Sequence, residues 1–277
     1  MTSIHLCQPD SSKSCAACCG LYNYAHNTRQ ELENRLRYRT KLFDLVRRGD
    51  IDIGTYREAI RHREDQKRIY KTIYTCEFVG FLDKKESRVG CMLHPMQNNG
   101  HDLREISFYG KGLCESHLCP SYYKLTQEEA RVVVSVIDDW YLYGVVITDI
   151  DFVKALFRIL QERIADAIDP VIVDSSCSLK SAFMRYFRLK ESWPYKDTSR
   201  PRFGKYFFVG EDYDIARIDY ESIGAKRSPY DAILVSLASE FRDKDALDSA
   251  NRMIDMIMHD LSSEYTKAYR KHNRDCT

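Results

Sequence analysis

Eight of the ten cysteines in this 277-residue chain, Cys7, Cys15, Cys18, Cys19, Cys76, Cys91, Cys114 and Cys119, lie in the first 119 positions. The other two, Cys177 and Cys276, are alone in the rest of the chain. Cysteines used as small core hydrophobes would recur in every buried segment, and these do not. Their spacing is C-x7-C-x2-C-C-x56-C-x14-C-x22-C-x4-C, with three of them packed into "SCAACCG" at 14–20. A fold that gathers thiols from stretches so far apart must bring those stretches back to one place.

What the thiols do depends on compartment. The opening "MTSIHLCQPDSSKSC" has neither a basic n-region nor an apolar h-region, so no signal peptide is expected. No apolar run approaches the ~18 residues of a membrane span. A cytoplasmic location is therefore expected, where lasting disulfides are disfavoured and clustered thiols point to metal or catalysis. A disulfide between the vicinal Cys18 and Cys19 would be strained, while a reactive thiol beside a metal or cation stays open.

Eight thiolates equal two four-ligand shells for a soft or borderline cation: zinc, or the iron of an iron–sulfur cluster. Adjacent Cα atoms stand ~3.8 Å apart, and successive side chains point in different directions. One ion accepts both Cys18 and Cys19 only in a strained loop, so more than one metal atom is expected, the pair being divided between neighbouring sites or joined in one cluster. His94 in "CMLHP" and His117 in "CESHLC" have ligand-like spacing; each is either a ligand or a hydrogen-bond donor to a ligating sulfur. His26, His62 and His101 lack such spacing. Cys177, in "DSSCSLK", and Cys276 read as incidental.

The remaining pattern predicts a mainly α (α+β) chain. Thr28 and Glu31 have capping-box spacing ahead of a stripe of Leu32, Leu36, Phe43 and Val46, and Gly49–Asp50 supplies a turn. Thr55 with Glu58 would open a second helix carrying Tyr56, Ala59, Ile60, Ile69 and Ile73, so that the hairpin returns the chain to Cys76. Residues 76–121 are loop-rich, with short strands expected near Glu77–Leu82 and Ile106–Tyr109. Beyond Leu125, Thr126 with Glu129 caps a run through "ARVVVSVIDDWYLY", Thr148 with Asp151 starts "FVKALFRILQERIADAI", and a shorter helix fits Leu179–Leu189. Strands near Lys205–Val209 and Ile215–Tyr220 form a hairpin around Gly210–Asp214. Ser228–Pro229 begins "YDAILVSLASEF", and a last long helix buries Leu247, Ala250, Ile254, Ile257, Met258, Leu261 and Tyr265. The expected division is 1–124, a loop-rich, metal-stapled region with a helical hairpin, packed on 125–277, a helical region with one short β-hairpin; a shared core is left open.

The residues "SCAACCG", "CEFVGFLD" and "GCMLHP" resemble the YkgJ-type cysteine-cluster family, a zinc- or iron-chelating domain. The family pattern opens C-x2-C-x2-C-C; this chain has Ser12 in place of the first cysteine, and Cys7 would substitute through a looser loop. The resemblance implies metal binding by Cys15, Cys18, Cys19, Cys76 and Cys91, with Cys114 and Cys119 following after a longer insertion. It covers about residues 7–121 and says nothing of the helical remainder.

Several function classes recede. Hydrophobic residues at 44% and charged residues at 30% are the balance of a folded chain. A net charge of +1 gives no global pull toward nucleic acid or anionic membrane. Residues 28–71 hold 13 Lys/Arg against 8 Asp/Glu, but the signs alternate at helical spacing, which reads as a solvated face rather than a nucleic-acid patch. No glycine-rich nucleotide loop, hydrolase triad or H-E-x-x-H helix is present. The expectation is a metal-binding protein holding zinc or an iron–sulfur cluster. The alternatives are an iron–sulfur or S-adenosylmethionine-dependent enzyme, such as the flagellin lysine methylases whose cysteine pattern is similar, and a zinc-stabilised interaction module. The partner, a protein or a small molecule, is not specified by the sequence; Tyr22 and Tyr24, beside the cysteines, are candidate pocket residues that packing also explains.

Overall fold

Helix α1 (Arg29–Arg48) starts where the Thr28 hydroxyl accepts the Glu31 N–H and stops at Gly49, whose φ of 77° forms a left-handed cap. A computed structural model of the chain describes residues 4–65, 67–200, 202, 204–209 and 212–275. The buried face of α1 carries Leu32, Leu36 and Phe43 as the spacing predicts, with Arg39 set among them. Helix α2 (Ile53–Arg63) is capped by Asp52, whose carboxylate accepts the Thr55 N–H at 2.7 Å, and not by Thr55. It ends at Arg63, so Ile69 and Ile73 lie outside it. The cause is the next residue, Glu64, which turns inward to Arg35 and Arg39.

The following loop satisfies its backbone through one side chain. Asn23 Nδ2 donates to the carbonyls of Tyr70 and Ile73 at 2.9 and 2.8 Å, and Asn23 Oδ1 accepts the Tyr70 N–H at 2.8 Å. Strands β1 (Val79–Phe81) and β2 (Val89–Cys91) then pair antiparallel, Val79 opposite Cys91 and Phe81 opposite Val89. The expected strand at Ile106–Tyr109 does not form. A 3₁₀ turn covers Arg104–Ile106, and α3 (Gly110–Ser116) begins directly after Tyr109. Phe43, Tyr56 and Phe78 make the aromatic centre of this region, with Tyr56 stacked on Phe78 at 5.3 Å.

The rest is α4 (Pro120–Lys124), α5 (Gln127–Val136), α6 (Trp140–Ile147), α7 (Ile150–Ile164), α8 (Pro170–Ser175), α9 (Cys177–Phe187), α10 (Leu189–Ser192), β3 (Tyr206–Val209), β4 (Asp212–Ile215), α11 (Asp231–Ser236) and α12 (Lys244–Asp275). Thr126 and Glu129 form both halves of a capping box at α5. The helical run predicted through Tyr143 breaks at Ile137, because Asp139 takes the N–H groups of Tyr141 and Leu142 and starts α6. Asp149, not Thr148, caps α7. This buried carboxylate also meets Lys190 Nζ and Ser236 Oγ. The C-terminal hairpin exists, but its second strand lies at 212–215, earlier than expected; Gly210 and Glu211 fall outside the described residues. On α12, Leu247, Ala250, Ile254, Met258, Leu261 and Tyr265 are buried, and Ile257 is at the margin of the stripe.

With 54% helix against 6% strand the chain is mainly α. It divides into two compact units. One comprises His5–Tyr122 and Asp139–Gly144; the other comprises Tyr123–Asp138 and the chain from Val145 onward, together with Ile4. Among the described residues no helix is long and apolar enough to cross a membrane.

Candidate metal centre

All eight clustered cysteines belong to the His5–Tyr122 unit, and the nine described cysteines are free thiols. The N-terminal loop is shaped locally. The Asp10 carboxylate accepts the N–H groups of Ser12 and Lys13 at 2.8 and 3.0 Å, and the Cys15 N–H reaches the Cys7 carbonyl at 2.8 Å. The buried Ser14 hydroxyl donates to Val89 O at 2.6 Å and accepts from Val89 N at 2.7 Å, tying this loop to the strand that ends at Cys91.

Ala17–Cys19 forms one 3₁₀ turn closed by Gly20 at φ 78°. A Cβ on Gly20 would lie 2.4 Å from Tyr74 O and 2.9 Å from Thr75 Cα. Only glycine supplies both this φ and this approach. Through it the Cys76 N–H reaches Cys19 O at 2.9 Å.

The thiols divide into two sets by which sulfurs act on which. Burial and then Cys119 push Cys7 up. Cys15 is pushed up to about 12 by burial, partly offset by the Ala17 N–H, with Cys7 and Cys119 adding to the rise. Cys18 hydrogen-bonds Cys119, which raises Cys18 and lowers Cys119, one proton being shared between two sulfurs. The second set centres on Cys19, held well up by burial and then by Cys76, Cys91 and Cys114, with Cys15 of the first set acting last. Burial raises Cys76 to about 12, and Cys91 is raised by burial with Cys114 adding to it. The vicinal pair thus differs in its strongest neighbours, Cys119, Cys15 and Cys7 acting on Cys18 and Cys76, Cys91 and Cys114 acting most on Cys19.

Backbone N–H groups just downstream act on four of the sulfurs: the Ala17 N–H donates to Cys15 Sγ at 3.5 Å, Phe78 works to lower Cys76, Leu93 and His94 to lower Cys91, and Tyr122 and Ser121 to lower Cys119, while the His94 and Tyr122 N–H groups donate to the Cys91 and Cys119 carbonyls at 3.2 and 3.0 Å. Such donors favour the anionic sulfur that a metal requires. Ser107 Oγ lies 3.6 Å from Cys114 Sγ. Two tyrosines that the sequence did not single out stand beside the sets: Tyr143 is raised by burial and then by Cys15, Cys7 and Cys119, and Tyr109 by burial and then by Cys19, Cys76 and Cys114. As the side chains stand, no three His, Cys, Asp or Glu groups among the described residues are arranged to hold one metal ion. Ligation by either set requires its sulfurs to draw together.

The histidines have other engagements. His94 Nδ1 accepts the Met96 N–H at 3.2 Å, and its backbone N–H donates to the Cys91 carbonyl at 3.2 Å. His117 is exposed at the end of α3. Cys177 is exposed at the start of α9, and Cys276 lies outside the described residues. Of the two tyrosines near the cysteines, Tyr22 is packed with its hydroxyl 3.3 Å from Trp140 O, whereas Tyr24 joins a buried ionic group.

That group is the site's least expected feature. Arg39, 1% exposed, donates to both Glu64 oxygens at 2.6 and 2.7 Å, to Cys76 O at 2.9 Å and to the Tyr24 hydroxyl. Arg35 adds a contact to Glu64 at 2.6 Å. The signal was in the sequence: Arg39 falls between Leu36 and Phe43 on the apolar stripe of α1, where a solvated arginine has no place. Comparison with protein-family models, curated proteins and solved structures finds no match to this chain.

Proposed function

We propose that the chain is a metal-binding protein in which two sets of cysteines, Cys7, Cys15, Cys18 and Cys119, and Cys19, Cys76, Cys91 and Cys114, hold soft cations, zinc or the iron of iron–sulfur clusters. The observation that carries this reading is that all eight clustered thiols lie in one compact unit, where Cys119, Cys15 and Cys7 act on Cys18, and Cys76, Cys91 and Cys114 act on Cys19 ahead of Cys15. The N–H groups acting on four sulfurs support it, because they stabilise thiolate over thiol. Membership of the YkgJ-type family and a cytoplasmic location belong to the same proposal, the latter because a reducing compartment keeps such thiols free. Bound zinc would tie distant loops together and contribute folding free energy, whereas an iron–sulfur cluster would also carry electrons.

The test is metal analysis with visible absorption on anaerobically purified protein, repeated for Cys18→Ser and Cys19→Ser separately. Each single variant is expected to lose about half of the bound metal while the other set keeps its own, since a missing thiolate opens only one shell. Wild-type protein that stays free of zinc and iron after careful reconstitution would sink the reading. Complete metal loss in either folded single variant would refute the division into two sets.

A further inference from the structure

A second cavity in the cysteine-bearing unit has no part in thiol chemistry. It measures about 580 Å³, and its least exposed lining includes Tyr24, Arg39, Glu64 and Thr75, with Arg68 half-buried. The lining also carries Arg57, Arg61, Lys71, Ile73, Tyr74, Glu77 and Phe108. That size lies within the ~300–1,000 Å³ of small-molecule sites.

Five cationic side chains face only two carboxylates, and both carboxylates are occupied. Glu64 is held by Arg35 and Arg39, and Glu77 by Arg57 Nε at 2.8 Å and the Tyr74 hydroxyl. Arg61 and Lys71 are exposed and have no acidic partner among the described residues. Arg68 lines the same cavity, its Nε donating to Thr75 Oγ1 at 2.8 Å, its Nη1 to the Asp65 and Lys67 carbonyls at 3.0 and 3.3 Å, and its guanidinium 4.1 Å from the Tyr24 ring centroid. Arg35 covers the same ring at 3.7 Å. Burial and the neighbouring Arg35 and Arg39 charges work against the charge on Arg68, while Tyr24 and Glu64 support it. This wall is short of negative charge.

Part of the lining is apolar. Phe108 stacks on Tyr74 with ring centroids 4.4 Å apart and is 69% exposed. Ile73 beside it is 42% exposed. A large aromatic ring held flat against another, with its other face in water, is a ready stacking platform. The guanidinium and ammonium groups in the same lining suit a phosphate.

We propose that this cavity binds a nucleoside phosphate, its phosphate against Arg61, Arg68 and Lys71 and its base on Phe108. The proposal does not depend on metal in either thiol set. It also predicts a charge preference: S-adenosylmethionine carries the same adenine without phosphate and with net positive charge, so the cationic wall rejects it.

Calorimetric titration of the full-length protein as purified, with metal content measured on the same samples, provides the test. The probes are AMP, ribose 5-phosphate, adenosine and S-adenosylmethionine. AMP is expected to bind saturably and at least about tenfold more tightly than each of the other three, base stacking and phosphate contacts each contributing about that factor. The paired variant Arg61→Ala with Lys71→Ala should weaken AMP by about 10- to 100-fold and flatten its salt dependence. Phe108→Ala should weaken AMP about tenfold and leave ribose 5-phosphate unchanged. All three side chains are exposed, and circular dichroism checks that the variants fold. Absence of saturable AMP binding at millimolar concentration would overturn the proposal. So would ribose 5-phosphate or S-adenosylmethionine matching AMP, or AMP affinity untouched by the charge variant.

Discussion

Replacing Glu64 by glutamine isolates the ionic group that anchors the cysteine-bearing unit. Glutamine keeps the shape and one acceptor oxygen but removes the charge that faces Arg39 and Arg35, both at 2.6 Å. Arg39 is then a cation with 1% of its surface in water and no counter-ion in contact. Removing one partner of a buried ion pair costs about 3–5 kcal/mol, a large part of the ~5–15 kcal/mol that holds a domain. Replacing the whole group together, as Arg35→Met, Arg39→Met and Glu64→Leu, should recover much of this and retain a deficit of about 1–3 kcal/mol, because Arg35 is no longer left as a buried cation while Cys76 O loses its buried donor. The pH dependence has a definite sign. Burial works to raise Glu64, but the Arg39 charge and hydrogen bonds, and then Arg35, outweigh it and hold the carboxyl below its usual range. The stability from that depression is fully present above the unfolded value of about 4.3 and is lost as pH falls through the folded value. The gap between wild type and Glu64→Gln should therefore narrow below about pH 4. Trp140 belongs to this unit and Trp193, the other tryptophan, to its neighbour in the chain. Urea titration followed by fluorescence in a Trp193→Phe background thus reports the right unit. A variant within about 0.5 kcal/mol of wild type at neutral pH, the range of an ordinary surface change, would refute the reasoning, as would a gap that ignores acid.

Gly20→Ala should destabilise the same unit by at least the ~1–2 kcal/mol of left-handed strain and release metal from the Cys19 set first, because its Cβ collides with the Tyr74–Thr75 backbone; metal content of the purified variant checks this. Ser14→Ala leaves the buried Val89 N–H and C=O without their shared partner and should cost about 1–3 kcal/mol in urea titration. Thr126→Ala removes one half of the capping box at α5 and should cost about 1 kcal/mol, seen by Trp193 fluorescence in a Trp140→Phe background.

The sequence was most legible where local chemistry decides. Thr28, Gly49 and the Thr126–Glu129 box mark helix ends through hydrogen bonds that span only a few residues, and these stand as the pattern predicts. The α12 stripe is legible because 3.6-residue periodicity is a property of the helix alone. Expectations failed where a residue's bond is made far away. Ile69 and Ile73 continue the periodicity of α2, but Glu64 is drawn to Arg39, 25 positions upstream, and the loop backbone is taken up by Asn23. Asp52, three residues before Thr55, and Asp149, one after Thr148, take the caps because each carboxylate accepts an N–H of the first helical turn, from Thr55 and Phe152. The cavity's cations were read as a solvated helix face because alternating charge looks the same whether a guanidinium meets water or a buried carboxylate.

That distinction bears on how the thiol loops are held. Their stretches contain little regular structure, yet they are joined by polar contacts between distant positions: Ser14 to Val89 across 75 residues, Asn23 to Tyr70 across 47, and Arg39 to Cys76 across 37. Each is buried or half-buried and involves no sulfur. The scaffold therefore ties the cysteine stretches to one another without sulfur, and on the proposed reading a metal would have only to draw the sulfurs together. Removing metal with a chelator should leave α1, α2 and the β1–β2 pairing intact while loosening the segments that carry the thiols. Circular dichroism should change little, and amide exchange should accelerate at residues 7–20 and 107–122, by about tenfold for each ~1.4 kcal/mol of lost local stability. Collapse of the whole unit into an unfolded chain on chelation, the behaviour of a small zinc finger, would show that these polar contacts do not suffice and that metal organises the fold.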